Sequence, residues 1–410
     1  MTVEGPGQEQ DLSNPYAQIL ARSEKQHRLL SAHWELTYRC NVKCTHCYLD
    51  VLPPRANVAG ELTTDECLRV VDELAELGVL NLTFSGGEIL VHRDFFRIAE
   101  YARSQRFLVR LFTNGILITS AVADRIAALH PYAVEISLYS TLPERHDRIT
   151  GLQRSWELST RAFRLLHEKG VRTVLKTPLM RENAAEIDRL ESFAHELGAG
   201  FRVDTTVTPK DSGDFSPFAH RASFEQLVRY FESHIEPPTW LDRLATDEDR
   251  TCGIGLKAIA LDPYGNVFPC VQVRWKAGNV RETPLHEIWN ESAVWQELSR
   301  LTVSQLPACR TCELRSLCIR CQGLALVEGK DLRAPAMANC RSTLARREAL
   351  IRRGALPADY PIPLQLERFA DSLLYDPIPG DYSQCDFIPL SALTPQPGAY
   401  GAGVEKQFSE

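Results

Sequence analysis

Residues 33–47 read HWELTYRCNVKCTHC. A six-residue apolar run, HWELTY, is too short for a typical helix and leads directly into three closely spaced cysteines, Cys40, Cys44 and Cys47. Runs of the same kind recur at VLNLTFS (79–85), FLVRLFT (107–113), AVEISLY (133–139), VRTVLKT (171–177) and GFRVDTTV (200–207). They are rich in Val, Leu, Ile, Phe and Thr, which predicts strands.

The intervening segments predict helices with recognisable ends. Thr63 and Glu66 form a capping box, Cys67, Leu68, Val70, Val71 and Leu74 face inward, and Gly78 suits the C-terminal stop. Segments 156–169 and 184–197 end the same way at Gly170 and Gly198. Six strand–helix alternations imply a parallel sheet, and right-handed crossovers curl such a sheet into a full or partial barrel. The expected fold is therefore α/β, a partial (β/α)6 TIM-like barrel. Barrel enzymes hold their chemistry at the C-terminal ends of strands, which is where the loop 40–47 falls.

The 410-residue chain is long enough for one to three domains. Lys plus Arg is 46 against 53 Asp plus Glu, a formal charge of −7, which argues against binding nucleic acid by backbone neutralisation. No apolar run reaches membrane-spanning length. The start, MTVEGPGQEQ, lacks the basic and apolar regions of a signal peptide, so a cytoplasmic location is expected. Twelve cysteines in a reducing compartment point to metal rather than disulfides, and ten of them fall in two clusters. Of the other two, Cys67 reads as a small core hydrophobe and Cys385 as an isolated surface thiol in the tail, with a cluster ligand reaching back as its alternative.

The expected organisation is an N-terminal segment over 1–30, weakly helical at 15–29, and a barrel core over 31–215. A bridging region with a helix at 223–234 covers 216–250, followed by a cysteine-rich domain over 251–345. An Arg-rich helix (341–353) leads into a Pro-rich tail, so that 346–410 form the last unit; 8 of the 24 prolines lie beyond residue 356. Residues 252–340 lack long periodic segments and are expected to be organised by metal rather than by a large apolar core.

Three thiolates are one short of a closed zinc site and of the usual four-cysteine iron–sulfur cluster. A Cys3His zinc site using His46 is the bland alternative. Cys-x3-Cys-x2-Cys after the first strand, with Ser85-Gly86-Gly87-Glu88 after the second, resembles the radical S-adenosylmethionine (SAM) enzymes over about 31–209. The resemblance implies that Cys40, Cys44 and Cys47 hold three irons of a 4Fe–4S cluster and that SAM chelates the fourth. It further implies reductive cleavage to a 5′-deoxyadenosyl radical that abstracts hydrogen from substrate. In that family the Gly86–Gly87 loop contacts the methionine end of SAM. His46 stands where an aromatic residue touches adenine, Ser137 matches a ribose-binding position, and Asn114 lines the same cavity. Ile89 replaces the family's frequent proline. Ordinary strand-end turns are the alternative for Ser137 and Asn114.

Cys252, Cys270, Cys309, Cys312, Cys318, Cys321 and Cys340 resemble the SPASM extension of these enzymes, which implies two auxiliary iron–sulfur clusters of the 4Fe–4S kind. The segment ALDPYGNVFPC fits its strand–turn–strand. By position, Cys309, Cys312, Cys318 and Cys340 would bind the outer cluster. Cys252, Cys270 and Cys321 would bind the inner one, leaving its fourth ligand open to a noncysteine group or a substrate thiolate. Cys318 and Cys321 are separated by two residues where the family has three. Structural zinc knuckles are the alternative.

The stretch VEISLYSTLPERHDRITG…LKTPLM…TVTPKDSGDFSP is similar to peptide maturases of natural-product clusters. The resemblance implies a precursor peptide as substrate and an electron donor such as flavodoxin or ferredoxin. Products in that group include thioether and carbon–carbon crosslinks, epimers and backbone excisions, with thioether formation suited to an open inner cluster. About 30 residues precede the barrel, so a leader-binding partner would be separate. Val271 stands where formylglycine-forming relatives carry an Asp base, which weighs against that reaction. Lys176, Asp204 and Glu135, all on expected strands, are the acid–base candidates, with salt bridges or outward orientation as their alternative. Two other classes stay open: a radical SAM enzyme acting on a tetrapyrrole, quinone precursor or sugar, and a nonenzymatic iron–sulfur or zinc protein.

Overall fold

The computed structural model describes residues 18, 22, 23, 26–234 and 246–363. Most of the N-terminal segment, part of the bridging region, the Pro-rich tail beyond 363 and Cys385 lie outside the described residues.

Six parallel strands follow the sequence pattern: β1 (Ser31–Thr37), β2 (Asn81–Gly86), β3 (Leu108–Thr113), β4 (Ala133–Ser137), β5 (Thr173–Pro178) and β6 (Gly200–Asp204). The helices between them are α1 (Thr64–Glu76), α2 (Phe95–Ser104), α3 (Ser120–Ala128), α4 (Pro143–Thr150), α5 (Ser155–Glu168) and α6 (Ile187–Glu196). The capping box on α1 is present: Thr63 N–H donates to Glu66 Oε2 (2.7 Å), and Glu66 N–H to Thr63 Oγ1 (3.3 Å). Gly78, Gly170 and Gly198 follow α1, α5 and α6 with φ of +80°, +67° and +68°, a left-handed backbone that glycine adopts without strain.

The strand register settles which residues share a face. Trp34, Phe84, Leu111 and Ile136 bury themselves under the helices with Cys67, Val70, Val71 and Leu74 of α1. On the opposite, concave face lie His33, Glu35, Ser85, Arg110, Phe112, Glu135, Ser137, Lys176, Arg202 and Asp204. One face is thus a dry helix-covered core and the other a polar interior.

The expectation that residues 252–340 lack a large apolar core is corrected. β7 (Ala258–Leu261) pairs in parallel with β1, and β8 (Asn266–Phe268) and β9 (Gly278–Asn279) add antiparallel strands. The result is one open sheet of nine strands in the order β6-β5-β4-β3-β2-β1-β7-β8-β9. Ile259, Leu261, Val267, Trp289 and Trp295 join the same apolar core as Trp34. The sequence signal is weak because each of these strands has only two to four residues.

α7 (Phe224–His234) follows the barrel. α8 (Leu285–Glu291), α9 (Ala293–Ser299), α10 (Pro307–Arg310), α11 (Gln322–Gly329) and α12 (Met337–Arg352) complete the described chain. α12 returns to the barrel side, where Arg346 lies over the Phe231 ring and Arg352 pairs with Glu225 (2.9 Å). Among the described residues no helix is long and apolar enough to cross a membrane.

Candidate functional site

The loop after β1 is held at both ends. Cys40 N–H donates to Leu52 O (2.8 Å) and Leu52 N–H to Tyr38 O (2.9 Å), closing the loop on its own strand. Lys43 and Thr45 N–H donate to Thr150 O (3.1 Å) and Ile149 O (3.0 Å), so the loop satisfies the free carbonyls at the end of α4. Three unpaired cysteines are fixed there. Burial pushes the Cys40 thiol up to about 12 and Cys47 to about 11, and raises Cys44 further. Thiolates at these positions therefore need a cationic partner, which bound iron supplies.

Gly86 and Gly87 bring the end of β2 against this loop. A Cβ on Gly86 would meet Thr37 O at 2.3 Å, and one on Gly87 would meet Arg39 O at 2.3 Å. Gly87 N–H donates to Thr37 O (2.7 Å) and Glu88 N–H to Arg39 O (2.9 Å). The double glycine is thus required by the approach of one strand end to the other, a reason that motif reading did not supply. The buried Glu88 carboxylate accepts from Thr113 Oγ1 (2.7 Å), Asn114 N–H (2.8 Å) and Leu90 N–H (3.1 Å), tying β2 to the end of β3. Ser85 bonds His33 across the concave face.

Asn114 Nδ2 donates to Asn41 Oδ1 (2.7 Å) and lies 4.0 Å from Cys40 Sγ. Ser137 reaches the Tyr139 hydroxyl, which sits 3.7 Å from Cys44 Sγ. The His46 ring meets Tyr139 edge-on at 4.6 Å, and its Nδ1 is buried without a hydrogen-bond partner. Burial lowers its pKa to about 4, so the ring is neutral at pH 7. Cys40, Cys44, Cys47, His46, the Gly86–Gly87 turn, Asn114 and Ser137 therefore surround one end of the barrel. The three-thiol donor set, the glycine cradle and the orphaned His46 nitrogen all fit an iron–sulfur cluster with a polar nucleotide beside it.

Below this level, Glu135 is fully buried and committed to three cations: Arg110, Arg202 (3.2 Å) and Lys176 (3.8 Å). Lys176 Nζ also lies 4.0 Å from the centre of the Phe112 ring, and burial lowers its pKa. Asp204, at the mouth, is solvent-accessible yet closely surrounded, as a group in a cleft is. Burial raises its pKa, and its Oδ1 accepts from Thr206 N–H (2.9 Å).

A second network escapes motif reading. Glu35 on β1 accepts from Tyr48 (2.7 Å), Tyr38 (3.1 Å) and Arg274 Nη2 (2.8 and 2.9 Å), and Arg274 also pairs with Asp211 (2.7 Å). Tyr48 follows Cys47, and Arg274 lies four residues beyond Cys270, so one buried carboxylate joins both cysteine regions. Glu35 sits at an inward position of a strand, but nothing local in the sequence pairs it with a residue 239 positions away.

The seven later cysteines gather in two groups. Burial pushes the Cys340 thiol up, helped by the neighbouring Cys318, Cys309 and Cys312. Cys252 is raised to about 12 by burial and then by Cys270 and Cys321. Cys321 N–H donates to Asn339 Oδ1 (2.9 Å), beside Cys340. Among the described residues no three His, Cys, Asp or Glu side chains are drawn tightly enough together for a single metal ion.

Residues 34–194 match the radical SAM superfamily, and residues 252–313 match an iron–sulfur cluster-binding domain, SPASM. An AdoMet-dependent heme synthase of Methanosarcina barkeri is 30% identical over 326 residues, 73% of this chain and 92% of that protein. A PqqA peptide cyclase of Granulibacter bethesdensis is 29% identical over 346 residues, 80% and 91% of the two chains. Streptococcus suis SuiB bound to precursor peptide SuiA shares the fold with a TM-score of 0.58 at 17% identity, covering 80% of this chain and 81% of that one. The thiol loop, the barrel that carries it and these matches agree: the chain belongs to the radical SAM superfamily and carries its SPASM iron–sulfur extension.

Proposed function

We propose that this chain cleaves SAM reductively and modifies a ribosomally made peptide by hydrogen abstraction. The observation that carries the SAM chemistry is the buried thiol loop 40–47 seated against Gly86–Gly87 at the strand ends. The peptide substrate is supported by the similarity to a PqqA peptide cyclase across 80% of the chain.

Cys40, Cys44 and Cys47 would hold the site cluster, with Asn114, Ser137, His46 and the Ser85–Glu88 turn facing SAM. When bound, that pair supplies a carbon-centred radical from a one-electron donor. The protein's own contribution is to hold and to exclude. The Glu88 carboxylate fixes the loop after β3, while Tyr139 and neutral His46 close the wall beside Cys44. Lys176, with its lowered pKa, and Asp204, with its raised one, are the proton-handling groups open to a substrate. Glu135 holds Lys176 in place.

Cys309, Cys312, Cys318 and Cys340 would take the outer auxiliary cluster and Cys252, Cys270 and Cys321 the inner one. This assigns 31–215 to the core, 251–345 to the cluster domain and 216–250 to the bridge, with 1–30 and 346–410 flanking. A flavodoxin or ferredoxin would supply electrons in a reducing cytoplasm. Crosslinking through a substrate thiol fits the three-thiol inner group.

The test is anaerobic: iron-loaded protein with SAM and dithionite should release 5′-deoxyadenosine. Co-expression with short peptides encoded beside its gene should give a peptide lighter by about two daltons for a crosslink, or deuterium uptake at constant mass for an epimer. A second reading, a tetrapyrrole substrate, is favoured by the match to a heme synthase over 92% of that protein. Turnover of an iron porphyrin carboxylate with every peptide unchanged would replace the first reading by the second.

A further inference from the structure

Arg320 lies between Cys318 and Cys321 and is only 3% exposed. One side of its guanidinium is anchored: Nη2 donates to Leu332 O and to Ala334 O (2.6 Å). On the other side Nε and Nη1 are buried and meet no oxygen or nitrogen acceptor. No carboxylate forms an ion pair with Arg320 among the described residues. A buried cation without a counterion is destabilising, and buried donors without acceptors add to that. Its uncapped N–H donors suit an anionic acceptor. What surrounds it is sulfur: Arg320 is flanked in the chain by Cys318 and Cys321, its side chain reaches the Cys309 thiol of the outer group, and Cys252 and Cys321 of the inner group lie near its charge.

We infer that Arg320 is the shared counter-cation of the two auxiliary clusters, standing between them with its Nε–H and Nη1–H directed at cluster sulfur. Thiolate-ligated iron–sulfur clusters are anionic and gain a further negative charge on reduction, so a fixed cation and N–H···S bonds stabilise the reduced form. Net charge and hydrogen bonds to sulfur are among the main settings of cluster potential. Arg320 is thus a positioning residue that raises both auxiliary potentials and keeps them coupled through one charge. It favours acceptance of an electron from a substrate radical after hydrogen abstraction. The inference rests on the assignment of Cys252, Cys270 and Cys321 and of Cys309, Cys312, Cys318 and Cys340 as cluster ligands.

The experiment is potentiometric EPR on the iron-loaded full chain, with iron and sulfide counted. If the wild type holds only the site cluster, the ligand assignment itself fails. If it holds all three, Arg320→Met is expected to shift both auxiliary midpoint potentials negative while the site cluster stays put. Arg320→Lys, which keeps the charge but offers fewer directed donors, should shift them less. Potentials equal to the wild type in whichever variant keeps its auxiliary iron overturn the inference. Independently of any variant's folding, wild-type protein labelled with guanidino-15N arginine should show 15N coupling on the reduced auxiliary signals in pulsed EPR. Absence of such coupling on both signals also overturns it.

Discussion

Single side chains carry the chemistry, and the most exacting are those with no freedom to move. In the proposed function Cys44 would hold one corner of the site cluster, so Cys44→Ala should abolish 5′-deoxyadenosine release in an anaerobic dithionite assay; substantial release would remove the assignment. Gly87 is constrained by backbone: an alanine Cβ would sit 2.3 Å from Arg39 O, too close for a side-chain shift to relieve. Gly87→Ala should leave the helical circular dichroism in place but lower iron retention at the site cluster, read by iron per chain after gel filtration. Glu35 accepts from the hydroxyls of both Tyr38 and Tyr48, and it shares Arg274 with Asp211. Removing one partner of such a buried network costs about 3–5 kcal/mol, so Glu35→Leu should lower the urea midpoint of the metal-free chain by a corresponding amount.

At the level of elements, helix ends are where sequence and structure agree best. The capping box of α1 depends on Thr63 and Glu66 alone, and Thr63→Ala should cost about 1 kcal/mol in chemical denaturation with activity unchanged. α4 behaves differently, because its role comes from what it touches. Its His146 accepts from Tyr139 N–H at Nδ1 (3.1 Å), which requires the neutral ring, and burial lowers its pKa to about 4. The unfolded chain, with an ordinary histidine near 6.5, binds a proton first as pH falls. The contribution to stability is therefore full above about pH 6.5 and is lost as pH drops toward 4. Thermal unfolding of the metal-free chain should show a smaller loss between pH 7 and pH 5 in His146→Asn than in the wild type; equal losses would count against this role.

Across the whole molecule, β1 is the hinge of the design. It pairs with β2 on one side and β7 on the other, so the strand that ends in the site-cluster loop also carries the cysteine-rich region. Mechanical continuity of this kind fits two sets of clusters acting in one sequence of steps. Cys312→Ala, which touches only the distant group, should keep some SAM cleavage and lose modified product, seen by parallel chromatography of 5′-deoxyadenosine and mass spectrometry of the peptide. An unchanged product yield would separate the outer cluster from turnover.

The six strands, the helix ends at Thr63, Gly78, Gly170 and Gly198, and the loop of Cys40, Cys44 and Cys47 were legible in the chain because they rest on local spacing. A period of two or 3.6, a cap three residues from its partner and a ligand triplet are all short-range patterns. The sequence therefore determined the parallel α/β class and the place of its chemistry. Only the tertiary structure decided that Glu135, Lys176 and Asp204 share one face, because a shift of one residue in strand register would reverse all three. It alone joined β7 to β1 and brought Arg274 to Glu35. Those are contacts between residues tens to hundreds of positions apart, formed only when the whole sheet is assembled.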